Sequence, residues 1–145
     1  RPPRSTLFPY TTLFRSYFDS GLIICHKTRI RANEVADMKV IGDVEGKNII
    51  VVDDMIDTAG TICKAADMLM DNGAASVRAV ATHAVLSGKA YENIEKSKLT
   101  EVIFTDSIPQ KQPCSKIKVL PIAPMFADTI RNIYEHKSIS DHFLM

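Results

Sequence analysis

The chain has 145 residues, of which 18 are Lys or Arg and 17 are Asp or Glu, so that its formal net charge is +1. This length suits one domain of ordinary size with a real core. The balanced charge excludes a field that attracts polyanions, and no apolar run reaches the roughly 18 residues that a membrane span requires. We therefore expect neither a nucleic acid nor a membrane as a partner.

The cysteines indicate the compartment. Cys25, Cys63 and Cys114 form no Cys-x-x-Cys pair, which favours reduced thiols in the cytoplasm over a disulfide framework or a zinc site. Cys25 and Cys63 are expected to be small core residues. No His-Glu-x-x-His pattern and no Gly-rich P-loop pattern is present, so neither a protein-held zinc nor a P-loop for ATP is expected.

The first residues differ in character from the rest. Thr6–Ser16 reads TLFPYTTLFRS, which resembles the conceptual translation of a common sequencing adapter, and the junction at Tyr17 is abrupt. We expect residues 1–16 to be a non-native segment, which is excluded from reasoning about the fold. Residues 17–145 are expected to form the domain.

From Tyr17 onward, segments typical of strands and helices alternate. Leu22–Cys25 is a short apolar run that predicts a buried strand, and a basic, mobile-looking stretch follows at Lys27–Asn33. Met38–Val44 is partly alternating and ends in a turn. Asn48–Val52 is continuous, apolar and β-branched, which predicts a central parallel strand covered on both faces.

The second half of the chain continues this alternation. Thr61–Asn72 has helical spacing, with Thr61 as its expected cap and Gly73 as its stop. The later predicted elements are a strand at Val77–Val85, a helix from Ser87 or Gly88 to Ile94, strands at Glu101–Asp106 and Ile117–Leu120, and a last helix with Pro124 in its first turn and Met125, Phe126, Ile130, Ile133 and Tyr134 along it. The pattern predicts an α/β fold with a parallel sheet, which binds ligands at the carboxyl ends of its strands.

The most informative stretch, Asp53–Thr61, lies where a predicted strand gives way to a helix. Its acidic pair can take sugar hydroxyls or a metal. The loop that follows combines hydroxylated residues with small ones, whose backbone N–H groups can approach an anion closely. The stretch therefore predicts a site for a phosphorylated sugar. A capped helix without a ligand would explain Thr61 alone.

The histidines offer weaker signals. His83, at a predicted strand end, and His26 are expected to be structural residues beside the site rather than general bases. His136 and His142 are expected to lie on the surface.

The loop resembles the phosphoribosyl-diphosphate loop of type I phosphoribosyltransferases, and further strings resemble the ribose-phosphate pyrophosphokinase (PRPP synthetase) family in the same order. These strings are Lys27-Thr28-Arg29, Asn33-Glu34-Val35, Ile41–Val44, Val51–Thr58, Ala81–Gly88, Thr105–Pro109 and Ser138-Ile139-Ser140. The resemblance covers nearly all of residues 17–145. It implies a type I phosphoribosyltransferase-like domain, incomplete at its N-terminal side, that corresponds to somewhat less than the C-terminal half of such an enzyme.

The resemblance implies a reaction in which ATP and ribose 5-phosphate give AMP and 5-phosphoribosyl 1-diphosphate (PRPP), with Mg²⁺ as cofactor. It assigns the ribose hydroxyls, with magnesium nearby, to Asp53 and Asp54. The residues that it assigns to the 5-phosphate are Asp57, Thr58, Ala59, Gly60 and Thr61.

The resemblance also implies catalytic cations. Lys27 and Arg29 match the family's flexible catalytic loop, where positive charge stabilises the phosphate oxygens in the transition state. Thr28 stands where the family often has a second Arg, so a third cationic role is not expected. On composition alone, Lys27–Arg31 would be read as a solvated basic loop.

Regulation and assembly are further implications of the resemblance. Ser138 and Ser140 are assigned to a site for inhibitory ADP or activating phosphate at a subunit interface, although a frayed end is the usual reading of such a tail. Intact family members are homo-oligomers, usually hexamers. Two alternatives stay open, a PRPP-consuming phosphoribosyltransferase and a non-catalytic regulatory relative. The fragment alone is expected to be inactive and to leave a sheet edge exposed.

Overall fold

The computed structural model describes residues 21–31 and 34–140, and between residues 26 and 39 it describes the backbone. The expectations for residues 1–16 and for His142 lie outside the described residues. So does Asn33, at the end of the stretch that was predicted to be mobile.

The described chain begins with an antiparallel hairpin of β1 (Ile24–Arg31) and β2 (Glu34–Ile41). The prediction of a mobile loop at residues 27–33 is therefore wrong up to Arg31, and β2 begins four residues before the Met38 of the predicted segment. Cations at positions 27, 29 and 31 alternate with Thr28 and Ile30. This alternation is a strand signal, and pairing with β2 supplies the backbone hydrogen bonds that an isolated basic stretch would lack.

Four parallel strands form the main sheet: β3 (Asn48–Ile56), β4 (Ser76–Ala84), β5 (Glu101–Thr105) and β6 (Ile117–Leu120), in the order β3-β4-β5-β6. The described ranges contain three helices that alternate with these strands: α1 (Gly60–Asp71), α2 (Ala90–Lys96) and α3 (Ala123–Tyr134). The predicted parallel α/β architecture is confirmed, and β6 has the bounds that the sequence predicts.

The prediction that β3 is a central strand covered on both faces is wrong. Within the described residues β3 pairs only with β4 and forms an edge of the sheet, which is the exposed edge that we expected. Ile50 and Val52 are 59% and 52% exposed. Apolar character on both sides of a strand indicates that the strand suits a buried position, but it does not reveal which neighbouring elements the chain supplies.

The core lies between one face of the sheet and helices α1 and α2. Alternate residues of a strand share a face, and the buried residues that alternate along this face are Ile49, Val77, Ala79, Ala81, Val102 and Phe104. Ile56 and Ala84, at the carboxyl ends of β3 and β4, are buried as well. The helices contribute residues such as Ile62, Leu69 and Ile94. In α3, by contrast, no residue is buried, although Pro124 lies in its first turn as predicted.

Helix α1 begins earlier than predicted. Its N-terminal boundary residue is Ala59, with φ of 60°, and no side chain caps it, so the prediction that Thr61 is the cap is wrong. Thr61 lies instead in the first turn. The C-terminal prediction is confirmed, because Gly73 has φ of 91° and its N–H donates to the carbonyl of Met70 at 3.1 Å.

Two further observations concern the cysteines and the helices. All three cysteines are free thiols; Cys63 is buried, and Cys25 is half-buried against the core. None of the helices in the described ranges 21–31 and 34–140 is long and apolar enough to span a membrane.

Candidate functional site

The stretch Asp53–Thr61 runs from the last residues of β3 into the first turn of α1. In the pairing of β3 with β4, Asp53 lies opposite Ala81 and Met55 lies opposite His83. The stretch therefore stands at the carboxyl edge of the parallel sheet, where α/β folds bind their ligands.

Asp53 and Asp54 are both largely exposed, and each binds the backbone immediately after it. Asp53 Oδ1 accepts a hydrogen bond from the N–H of Asp54 at 2.9 Å, and Asp54 Oδ1 accepts one from the N–H of Met55 at 2.7 Å. Partial burial raises the pKa of the Asp53 carboxyl, and the neighbouring Asp54 carboxylate raises it further. A cation or a hydroxyl donor at this pair would relieve that unfavourable environment.

The loop after β3 is tied to the β4–α2 connection. The N–H of Leu86 donates to the carbonyl of Ile56 at 3.1 Å, and the N–H of Ser87 donates to the carbonyl of Asp57 at 3.1 Å. The hydroxyl of Ser87 also donates to Asp57 Oδ1. The two segments are thus joined by main-chain and side-chain hydrogen bonds.

A third carbonyl of the loop binds helix α2. The side-chain amide of Asn93 donates to the carbonyl of Thr58 at 3.0 Å. In a trans peptide the C=O and the following N–H point in opposite directions. The N–H groups of Asp57, Thr58 and Ala59 therefore point away from the β4–α2 connection and from α2, which bind the preceding carbonyls. Successive N–H groups on one side of a loop form a concavity that suits an anion.

The start of α1 continues this anion-binding surface. The first intrahelical hydrogen bond is donated by Cys63 to the carbonyl of Ala59 at 3.0 Å. The earlier N–H groups of a helix have no intrahelical acceptor, and the positive end of the helix dipole favours a negative charge there.

Two small residues shape the loop in different ways. Ala59 adopts a left-handed conformation, which is unfavourable by about 1–2 kcal/mol for a residue with a Cβ. A Cβ at Gly60 would meet only Thr58 Oγ1, at 3.9 Å. The space above Gly60 is therefore open, as close approach of an anion to the backbone requires.

His83 lies beside the loop, at the end of β4, and is anchored on β5. Its Nδ1 is 2.9 Å from the Ser107 hydroxyl, which donates to the carbonyl of Thr82 at 3.0 Å. Thr105 Oγ1 also lies 2.7 Å from that carbonyl. The structural role of His83 stays a prediction.

The structure places Lys27 and Arg29 on the hairpin rather than in a loop. Lys27 pairs with Met38, and an irregularity in the register separates Thr28 from Arg29. The base of the hairpin packs against the core through Ile23, Cys25 and Val40. The structure describes only the backbone at the two cations, so their proximity to the Asp53–Thr61 stretch stays a prediction.

Ser138 and Ser140 are brought together after α3. Their hydroxyls are 2.5 Å apart, and the N–H of Ser140 donates to Ser138 Oγ at 3.1 Å. The pair forms a small polar turn, and its assignment to an effector site stays a prediction. His136 is exposed, as expected.

The acidic pair fits a magnesium ion better than a metal held entirely by the protein. Residues 21–31 and 34–140 contain no cluster of three or more His, Cys, Asp or Glu side chains that could hold a metal. Mg²⁺ usually takes one or two carboxylates and completes its octahedron with waters and substrate phosphates. Asp53 and Asp54 each use one carboxylate oxygen for the backbone, so the other oxygen of each can serve as a ligand.

Sequence reasoning did not identify Ser87 and Asn93 as supports of the loop. Ser87 lies in the string Ala81–Gly88, whose order along the chain was recognised, but Asn93 carries no signal in a single sequence. Its role depends on α2 packing beside the loop.

Comparisons with known proteins identify the family of the chain. The family described as "Phosphoribosyl synthetase-associated domain" matches residues 23–144. The ribose-phosphate pyrophosphokinases of Helicobacter hepaticus and Porphyromonas gingivalis are 56% and 51% identical to the chain over 130 and 119 residues. These matches cover 90% and 82% of this chain.

A solved structure is similar as well. The crystal structure of phosphoribosylpyrophosphate synthetase from Mycobacterium smegmatis has a TM-score of 0.75 and 37% identity, and the match covers 86% of this chain and 42% of that one. The chain spans about two-fifths of the length of the curated relatives, 42% and 38% for the two named above. By sequence and by fold, the chain belongs to the ribose-phosphate pyrophosphokinase family.

Proposed function

We propose that the protein to which this chain belongs is a ribose-phosphate diphosphokinase, which makes PRPP and AMP from ATP and ribose 5-phosphate. The C1 hydroxyl oxygen of the sugar attacks the β-phosphorus of ATP and forms a C1–O–P bond. The bond from that phosphorus to the oxygen bridging to the α-phosphate breaks, AMP leaves, and the hydroxyl proton passes to solvent or a base.

The observation that supports this proposal most strongly is the arrangement of the Asp53–Thr61 stretch in a chain of this family. Its carbonyls at Ile56, Asp57 and Thr58 are bound on one side. The opposite side therefore presents N–H groups to the 5-phosphate, as do Gly60 and Thr61 in the first turn of α1.

In this proposal the acidic pair, Asp53 and Asp54, binds the end of the sugar that is remote from the 5-phosphate. Asp53 and Asp54 accept hydrogen bonds from the ribose hydroxyls and hold Mg²⁺, which when bound neutralises charge on the diphosphate of ATP. The pKa of Asp53, which partial burial and the neighbouring Asp54 carboxylate raise, fits a carboxylate whose charge a bound cation or hydroxyl donor would stabilise.

The hairpin supplies the catalytic cations. Lys27 and Arg29 approach the transferring phosphates and stabilise the charge of the transition state.

The remaining properties follow the family analogy. We propose a cytoplasmic homo-oligomer, a hexamer in the intact protein, in which Ser138 and Ser140 help to bind ADP or phosphate as effectors. We also infer that residues 17–145 form the phosphoribosyltransferase-like part and that residues 1–16 are not native.

The test is a chimera in which residues 17–145 replace the matching segment of the Helicobacter hepaticus enzyme, which is 56% identical to the chain. The chimera is expected to form AMP and PRPP from ATP and ribose 5-phosphate when Mg²⁺ is present, and the isolated chain is expected not to do so. Release of diphosphate from PRPP and a base would favour a phosphoribosyltransferase. Binding of ribose 5-phosphate without turnover would favour a non-catalytic relative.

In the same chimera, Lys27→Ala tests the catalytic role of the hairpin. Loss of a cation that acts in the transition state is expected to lower kcat by on the order of 10²-fold and to change the KM for ribose 5-phosphate much less. Steady-state kinetics give both constants. An effect confined to KM would contradict transition-state stabilisation.

A further inference from the structure

The carbonyl of Thr58 accepts a hydrogen bond from a side chain that belongs neither to the loop nor to the β4–α2 connection. The donor is Nδ2 of Asn93, a residue of α2 that lies 35 positions further along the chain. The carbonyls of Ile56 and Asp57, by contrast, bind backbone N–H groups, which any residue other than proline at positions 86 and 87 would supply. Among these three contacts, only the one to Thr58 depends on the identity of a side chain.

We propose that Asn93 is a positioning residue for phosphate binding, because it fixes the peptide between Thr58 and Ala59 so that the N–H of Ala59 faces the anion. This inference rests on the proposed function of the loop as the site of the 5-phosphate. Asn93 itself does not touch the substrate in this proposal.

The Thr58–Ala59 peptide needs such a restraint because of its backbone conformation. Ala59 has φ of 60°, a region that residues with a Cβ rarely occupy. Rotation of this peptide would take Ala59 out of its unfavourable left-handed conformation. It would also turn the Ala59 N–H toward α2, away from the anion. The amide of Asn93 opposes that rotation because it binds the carbonyl on the α2 side.

Helix α2 holds Asn93 in place. Ala90, Tyr91 and Ile94 of this helix are buried in the core, so the orientation of the helix is set by packing. A neutral amide also suits the position. An aspartate there would face the Thr58 carbonyl with an acceptor, and a lysine would bring a positive charge that can bind the phosphate itself.

The experiment compares the 145-residue chain with Asn93→Leu, which keeps the approximate volume and removes the donor. Asn93→Gln keeps the amide and serves as the conservative variant. Glu92→Gln is the matched control, since Glu92 lies on the same helix and, within the part of the chain that the structure describes, pairs only with the exposed Lys96. The probes are ribose 5-phosphate and inorganic phosphate. Their binding is measured by calorimetry and by the backbone amide NMR signals of residues 57–60.

Asn93→Leu is expected to lower the affinity for both probes by about five-fold, the factor that corresponds to about 1 kcal/mol for one hydrogen bond. The Ala59 amide is expected to lose order and to shift less on addition of phosphate. Asn93→Gln should restore part of the affinity, and Glu92→Gln should leave it unchanged. Urea unfolding of each variant separates these changes from loss of the fold.

The outcomes distinguish the two proposals. If the wild-type chain binds ribose 5-phosphate and Asn93→Leu binds it equally well with an unchanged Ala59 signal, the positioning role is overturned and the proposed function stands. If the folded wild-type chain binds neither probe, the assignment of the 5-phosphate to this loop is overturned and the positioning role with it, while turnover by the chimera tests the proposed activity separately.

Discussion

The two faces of the four-stranded sheet differ in what covers them. On one face, Val77 and Phe104 pack beneath α1 and α2 and are at most 1% exposed. On the other face, Ile50 and Val52 of β3 remain more than half exposed, and an ion triad joins Glu101 to Arg78 and Lys118. Apolar residues in a strand therefore lead to burial only where the chain supplies a partner element, and on the open face the described residues supply none.

Carboxyl groups on the two faces have opposite pKa shifts. Asp53 lies opposite Ala81, in line with the covered face, and burial raises its pKa. Glu101 lies opposite Arg78 on the open face, and hydrogen bonds from Lys118 and Arg78 lower its pKa. The ionised carboxylate is thus disfavoured on the covered face and favoured on the open face.

The largest expected effect separates two phenylalanines. Phe104, in β5, is 1% exposed, and Phe126, in α3, is 53% exposed. Phe104→Ala is expected to lower the free energy of unfolding by about 3–5 kcal/mol, because it removes buried surface and leaves a cavity. Phe126→Ala is expected to change that free energy by about 0.5 kcal/mol or less. Urea unfolding measures both, and equal losses would show that α3 packs as tightly in solution as the core does.

Glu101→Gln is expected to have a smaller, pH-dependent effect. The folded-state pKa of Glu101 lies below its ordinary value of 4.5, so its stabilising effect is present above pH 4.5 and is lost as the pH falls through the folded-state pKa. The wild-type chain should therefore be the more stable at neutral pH, and the difference should vanish in acid. Urea midpoints from pH 2 to pH 7 test this, and added salt should reduce the difference because these are surface ion pairs.

Asp53→Asn is expected to have the smallest effect on stability, with the opposite sign. The folded-state pKa of Asp53 lies above 3.8, so ionisation destabilises the fold as the pH rises from 3.8 through the folded-state pKa. The variant should be slightly more stable than the wild-type chain at neutral pH and equal to it below pH 3.8. A less stable variant at pH 7 would contradict the sign of this shift. If Asp53 is a ligand of Mg²⁺, the gain in stability should be accompanied by a loss of Mg²⁺ binding, which calorimetry measures.

Local patterns in the sequence predicted much of the fold. β6 has the predicted bounds because Ile117–Leu120 stands between clear breaks. Helix α1 ends at Asp71, two residues before the predicted stop, because Gly73 adopts φ of 91° and cannot continue the helix. The start of α1 was missed because Ala59 enters a left-handed conformation that small-residue composition does not specify. The strand pairing of Lys27–Arg31 was missed because the charge of these residues outweighed their alternation with Thr28 and Ile30.

The sequence by itself determined the parallel α/β class, the family, and the position of the Asp53–Thr61 stretch at a strand end, because each depends on residues that are close together in the chain. Only the tertiary structure decided that β3 forms a sheet edge, that one face of the sheet stays open, and that Asn93 holds the carbonyl of Thr58. These features depend on which distant segments pack together. A local pattern of propensity and polarity does not encode that choice.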